Sequence, residues 1–218
     1  MPAKRGHRWF AAVYDRMVSA AEKGFLGPVR EELAGSAEGC VLEIGCGTGA
    51  NFSHYTEKAT EVVATEPDPY MLQRAEKRAA QMDRPIAVHQ APAEELPFPD
   101  ASFDTVVSTL VLCSVDDPAK ALSEVRRVLK PGGELRFYEH VRYESAFGGF
   151  WQDLVAPVWG WLGGGCHPNR DTAASIREAG FTIEKLERSK PLPPIPPMVC
   201  SRPHIKGIAV RPAEDKAA

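Results

Sequence analysis

The chain has 218 residues, 44% of them hydrophobic and 25% charged, which is ordinary for a globular protein with a full core. Its 26 basic and 29 acidic side chains leave a net charge of -3, so no broad cationic field favours a nucleic-acid partner. Cys40, Cys46, Cys113, Cys166 and Cys200 form no CxxC pair, so neither a zinc knuckle nor a disulfide frame is suggested, and free thiols in a reducing cytoplasm are the plain reading.

Residues 1–8 are basic but lead into no apolar segment, so no signal peptide is expected. Phe10, Val13, Tyr14, Met17 and Val18 share one helical face, and a second helical stretch past Gly24 and Gly27-Pro28 runs to about Ala34. Short apolar runs at 40–44, 62–65, 86–89, 105–109 and 135–138 then read as buried strands. Between them Asp68-Pro69 and Asp117-Pro118 each supply a helix N-cap and a first-turn proline. Lys130-Pro131-Gly132-Gly133 is expected to stop the second of these helices. Phe147, Phe150, Trp151, Leu154, Val155 and Val158 make another helical stripe, which Pro157 is expected to kink or end near Ala156. A short helix over 170–179, strands at 181–186 and 205–210 and a proline-rich loop between them complete the pattern, with a disordered tail expected after Arg211. Strand alternating with helix predicts an α/β fold, a parallel sheet covered on both faces. The longest apolar run, 106–113, is far short of the ~20 residues that span a bilayer. The expectation is a soluble cytoplasmic protein with at most peripheral membrane contact.

The first strand ends in Gly45-Cys46-Gly47-Thr48-Gly49, where glycines let the backbone turn sharply and approach a ligand. The spacing is not the G-x-G-x-x-G of dinucleotide enzymes, and Glu43 would repel a pyrophosphate but tolerate an ammonium and a sulfonium. This stretch resembles motif I of the class I S-adenosylmethionine methyltransferases. Glu66 after the second strand, Ala93-Glu94-Glu95-Leu96-Pro97-Phe98 before the fourth and Arg127-Val128-Leu129-Lys130-Pro131-Gly132-Gly133 before the fifth fall in that family's order. The resemblance implies a Rossmann-like fold with a seven-stranded, mostly parallel sheet, S-adenosylmethionine as cofactor, S-adenosylhomocysteine as product and no metal. It implies a single domain: a helical lid over 1–36, a cofactor core over 37–141, acceptor-side elements over 142–211 and a tail over 212–218. Glu66 would meet the ribose hydroxyls, Met71 the adenine face, and Ala93 and Glu94 the adenine edge. Glu43, Gly45, Cys46, Gly47, Thr48, Gly49, Pro67, Thr109 and Leu110 would complete the cofactor cleft, and Tyr14 would either close over it or pack within its own helix.

A narrower resemblance runs through nearly the whole chain. Gly45-Cys46-Gly47-Thr48-Gly49-Ala50-Asn51-Phe52, Ala91-Pro92, Thr109-Leu110-Val111-Leu112-Cys113-Ser114-Val115, Glu139-His140-Val141, Phe150-Trp151-Gln152, Gly165-Cys166 and Pro203-His204-Ile205-Lys206-Gly207 are similar to the methyltransferase-like 7 group of alkyl thiol methyltransferases. It implies transfer to a small lipophilic thiol, although the hydrophobic anchor that opens the animal members is not seen at residues 1–8. The runner-up is N-methylation of a phospholipid head group such as phosphatidylethanolamine, with Lys4, Arg5, Arg8, Trp9 and Phe10 on an anionic surface. A non-catalytic cofactor-binding protein and a dinucleotide oxidoreductase are the remaining readings; the glycine spacing counts against the last.

His140 reads either as general base or as passive lining, and Glu95 as catalytic acid or solvated charge. Cys113, Trp151 and His204 are assigned to the substrate side, within an aromatic set (Phe147, Phe150, Trp151, Trp159, Trp161) that reads as core, rim or acceptor wall. Cys113 and Cys166 raise arsenite chemistry, which uses thiolates as soft ligands, but no ligand cluster is visible in the sequence.

Overall fold

The computed structural model describes residues 21–162, 164–192 and 198–213. The amino-terminal stripe with Tyr14, the basic start and residues 193–197 of the proline-rich loop therefore lie outside the described residues. A π-helical turn (Glu22–Leu26) leads into α1 (Gly27–Gly35). Then follow β1 (Gly39–Ile44), β2 (Ala59–Thr65), α2 (Pro69–Ala79), β3 (Ile86–His89), β4 (Phe103–Thr109), α3 (Pro118–Val128), β5 (Leu129–His140), α4 (Ala146–Leu162), α5 (Thr172–Glu178), β6 (Thr182–Ser189) and β7 (His204–Val210). The sheet order is β3-β2-β1-β4-β5-β7-β6, parallel through β5, with β7 antiparallel to both its neighbours.

Successive side chains of a strand point to opposite faces, and the two cores follow that alternation. Leu42, Ile44, Val106 and Leu135 pack on Leu122, Val125 and Ile176 from α3 and α5. Val41, Val62, Ala64 and Val107 face Phe52, Tyr55 and Ala75 on the other side. The Asp-Pro starts behave as caps: Asp68 accepts from the amides of Tyr70 and Met71, and Asp117 from that of Lys120. Strand order turns back between β1 and β4, so a crevice opens outside their carboxyl ends.

Helix α3 stops ahead of its proline as expected, whereas α4 does not end at its own. Helix α3 ends at Val128, before Lys130-Pro131-Gly132-Gly133, and those residues lie inside β5. They form a bulge in which the register steps from Phe103–Leu129 to Thr105–Glu134, Gly132 takes φ +80°, and its amide reaches the Arg211 carbonyl. Helix α4 runs through Pro157 to Leu162. Proline forfeits one backbone bond there, but its side of the helix is exposed, so water can serve the freed carbonyl.

Candidate active site

The glycine turn after β1 is built as its spacing requires. Gly45, Gly47 and Gly49 have φ of +57°, +59° and +79°, where a side chain is strained. A Cβ on Gly45 would lie 2.7 Å from the Val111 side chain and one on Gly49 2.5 Å from the Phe52 ring, whereas one on Gly47 would enter open space. Glu66, just past β2, is buried, and its carboxylate accepts from the amides of Gly47 (2.8 Å) and Asp68 (2.9 Å), tying the two strand ends together. A methionine-bearing nucleoside fits this cradle: open space above Gly47 and an acid on the neighbouring strand end; Met71 and Ala93, read from the sequence as adenine contacts, are both buried.

Glu43 is buried beneath the turn, and its oxygens accept from Asn51 Nδ2 (3.0 Å) and Tyr55 Oη (2.8 Å). Asn51 also donates to Thr109 Oγ1 (3.2 Å) and accepts from Arg30 Nη1 (2.8 Å), which is paired with Glu22 (2.8 Å). The acid read as a counter-charge to the cofactor's ammonium thus also anchors a chain that reaches the entry to α1. Burial, opposed by Tyr55, Arg30 and Asn51, raises the Glu43 carboxyl from the ordinary 4.5 to about 7. A raised folded-state pKa favours folding below the unfolded value and loses that advantage as pH climbs through the folded one. Glu43→Gln removes the titration. The stability of the parent relative to this variant is therefore expected to fall by about 3 kcal/mol between pH 4.5 and pH 8, read by urea unfolding.

Other cofactor-side residues take varied positions. Thr48 and Cys46 are buried; the Cys46 amide donates to the Thr65 carbonyl, and burial next to Glu43 pushes its thiol up and keeps it inert. The Pro67 carbonyl accepts from Gln90 Nε2 (3.2 Å). Leu110 adopts φ +61°, uncommon for a branched side chain, and its amide donates to the Tyr138 carbonyl (2.7 Å). Glu94 accepts from the amides of Asp116 (2.8 Å) and Asp117 (3.3 Å), so it fastens its loop to the start of α3. Glu95 is exposed, the position of a solvated charge.

His140 ends β5, half-buried, and its Nδ1 lies 3.6 Å from Cys113 Sγ and 3.4 Å from Cys166 Sγ, with the sulfurs 3.8 Å apart. The expectation that no such cluster exists is therefore corrected. Its members are contributed by the turn after β4, the end of β5 and the loop after α4, so no local spacing announces it. Hydrogen bonding with Cys113, then the His140 ring, pulls the Cys166 thiol below the ordinary range, while the same sulfur pair and burial push Cys113 up. Glu139 is fully buried beneath this cluster and accepts from Ser108 Oγ (2.7 Å) and the amides of Val111 (3.1 Å) and Cys113 (3.1 Å). His204 is buried against Tyr138 and His140, its Nδ1–H given to the Arg202 carbonyl (2.8 Å), and burial drops its pKa to about 3, so it is a neutral wall of the site.

Trp151 does not join these residues: it is 48% exposed on the outer face of α4, with Phe147, Phe150, Leu154 and Val158 also exposed. The opposite face is fixed by buried Gln152, which accepts from the Tyr143 amide (2.7 Å) and donates toward the carbonyls of Val141 (3.1 Å), Pro168 (3.0 Å) and Cys200 (2.7 Å). Gln152→Ala strands these groups, and urea unfolding is expected to show a loss of about 2–4 kcal/mol with S-adenosylhomocysteine affinity unchanged. Sequence reasoning missed Arg30, Tyr55 and Glu139; only Glu139, a lone acid after an apolar run, left a readable signal.

The reversed strand order and the glycine turn opening on it define a class I S-adenosylmethionine-dependent methyltransferase. A family model described as a methyltransferase domain matches residues 42–137. The chain is 39% identical over 207 residues to rat thiol S-methyltransferase TMT1B, covering 92% of this chain and 82% of the relative. It is 35% identical over 209 residues to human thiol S-methyltransferase TMT1A, covering 93% and 83%. A structure of an S-adenosylmethionine-dependent methyltransferase from Thermotoga maritima superimposes with a TM-score of 0.67 at 24% identity, covering 94% of this chain and 97% of that one. The chain belongs to the methyltransferase-like 7 family, whose named relatives are thiol S-methyltransferases.

Proposed function

We propose that this methyltransferase acts on the sulfur of a small lipophilic thiol. The observation that carries the reading is His140: half-buried at the carboxyl end of β5, against two sulfur atoms, beside the loop whose Val111 touches the glycine turn. When bound, S-adenosylmethionine supplies a methyl on a positively charged sulfur; the new S–CH3 bond forms as the sulfonium C–S bond breaks, and S-adenosylhomocysteine leaves with the electron pair. The chain's own task is alignment, which contributes up to ~7–11 kcal/mol in well-oriented reactions. Glu43, Gly45, Gly47, Gly49, Glu66 and Met71 hold the cofactor in this reading, and His140 receives the acceptor. A thiol asks little of the protein, because a few per cent is already ionised at neutral pH. The exposed apolar face of α4 favours acceptors that partition from water.

N-methylation of a phospholipid head group is the second reading. It is favoured by a cleft of about 300 Å³ beside His204, lined by Arg142, Glu144, Arg188 and Lys190, where a lipid phosphate would exchange with the carboxylates of Asp153 and Glu144 that now pair the two arginines. The test is S-adenosylhomocysteine production by mass spectrometry with an alkyl thiol, with phosphatidylethanolamine vesicles and with buffer alone. Product with the thiol only is the expected result. Product with vesicles only overturns the thiol reading and keeps the cofactor site.

A further inference from the structure

We propose that Cys113, His140 and Cys166 form a zinc site with one open coordination position, and that this position takes the sulfur of the methyl acceptor. The second half rests on the thiol reading above; the first does not.

The geometry is that of a tetrahedral metal centre. Bonds of ~2.3 Å to sulfur and ~2.0–2.1 Å to imidazole nitrogen place two sulfurs about 3.8 Å apart, and each sulfur about 3.5 Å from the nitrogen. The side chains here stand at 3.8 Å for the sulfur pair and 3.6 and 3.4 Å for the sulfur–nitrogen pairs. A disulfide would instead need the sulfurs at about 2.0 Å, so these thiols are spaced for a shared ion rather than a bond. Two sulfurs and one imidazole are a soft donor set suited to zinc and poorly suited to magnesium or calcium. Three protein ligands, with a fourth position left over, are the pattern of a catalytic zinc; structural sites close with four.

The surroundings hold the ligands in place and leave one side open. Cys113 is fixed through its amide to Glu139 and through its carbonyl to the His167 amide (2.7 Å), while Arg170 Nη1 holds the carbonyl of Leu112 (2.8 Å). Both cysteines are buried, but His140 is half-buried, so approach is from its side. The buried Trp159 indole N–H lies beside Cys166 and is a donor suited to a site rich in anionic sulfur.

Coordination explains how a site whose other candidate acid, Glu95, lies exposed elsewhere ionises a thiol. The acceptor displaces a metal-bound water; its S–H bond breaks, the proton leaves to solvent, and sulfur keeps the electron pair as it bonds to zinc. A thiol so bound is ionised at neutral pH. After methylation the neutral thioether is a poor ligand and departs, with one proton released per turnover.

The full chain, purified with a phosphine reductant and dialysed against metal-free buffer, is expected to retain about one zinc by mass spectrometry of the metal. Cys166→Ser and His140→Ala should retain at least about fivefold less, and Cys40→Ser, outside the cluster, should match the parent. Cobalt in place of zinc gives the parent itself a second readout that does not depend on variants folding. Its thiolate charge-transfer absorption should intensify with butanethiol and not with the methyl thioether. Equal zinc in the parent and both cluster variants overturns the site; full thiol methylation by metal-free protein overturns the seating of the acceptor sulfur on zinc and leaves the thiol reading intact. A cobalt spectrum unmoved by butanethiol overturns the open position. A spectrum that responds to thiol, in a protein that methylates no thiol, upholds the metal site and sinks the acceptor reading instead.

Discussion

Gly47→Ala is expected to weaken cofactor binding by roughly five- to a hundredfold while the fold stands, and Gly45→Ala to damage both. The two glycines share a left-handed φ, +57° and +59°, so alanine at either adds about 1–2 kcal/mol of backbone strain. They differ in what the new methyl meets. At Gly45 it lies 2.7 Å from the Val111 side chain, a β-branched residue with few rotamers to retreat into. Overpacking of that kind adds about 1–3 kcal/mol, so Gly45→Ala should lower the melting temperature by roughly 10 °C. At Gly47 the methyl meets no heavy atom within 4 Å of the chain, so only the backbone strain remains and the melting temperature should fall by about 2–8 °C. The empty volume there is the volume the cofactor reading needs, and a methyl pressed into a fitted ligand is worth roughly five- to a hundredfold in affinity. Calorimetric titration with S-adenosylhomocysteine separates the cases. Parent-like affinity in Gly47→Ala would mean the ligand does not pass over this residue.

That contrast also shows what a sequence conveys. The turn was legible because glycine spacing is a direct record of backbone geometry, and the Asp-Pro caps were legible for the same reason. The parallel sheet followed from strand–helix alternation, and every predicted strand is present. Illegible were arrangements in which distant segments meet. Cys113, His140 and Cys166 are separated by 27 and 26 residues, and each alone reads as an isolated thiol or imidazole. The side taken by Trp151 was illegible for a related reason: helical periodicity finds a stripe but not which side the sheet takes, and buried Gln152, not the aromatic face, anchors α4. Pro157 failed as a stop signal because a missing backbone bond on an exposed face is a modest penalty, not a prohibition.

Glu139→Ala is the second large effect expected, and its reason is the loop rather than the chemistry. Val111, Leu112 and Cys113 turn sharply after β4, with Leu110 in a strained left-handed conformation just before them. A buried carboxylate holds that turn by accepting the amides of Val111 and Cys113 and the hydroxyl of Ser108. Alanine leaves these three donors without their acceptor, and at about 1–3 kcal/mol for each stranded buried donor a total loss of about 3 kcal/mol or more is expected. In a chain of this length that is a fall of roughly 10 °C or more in melting temperature. Glu139→Gln keeps one carbonyl oxygen for Ser108 and Val111 but turns an N–H toward the Cys113 amide, so it should be intermediate in stability yet still displace Cys113. Glu139 touches neither acceptor nor cofactor in the reading above; it positions. Its variants should therefore lower kcat by about a hundredfold, as misplacement of about an ångström does, while S-adenosylhomocysteine affinity stays near the parent value. If affinity and turnover fell together, the loop after β4 would belong to the cofactor cleft as a whole. If neither changed, Val111 and Cys113 would be held by the sheet, and the burial of a carboxylate at the end of β5 would be left without a purpose.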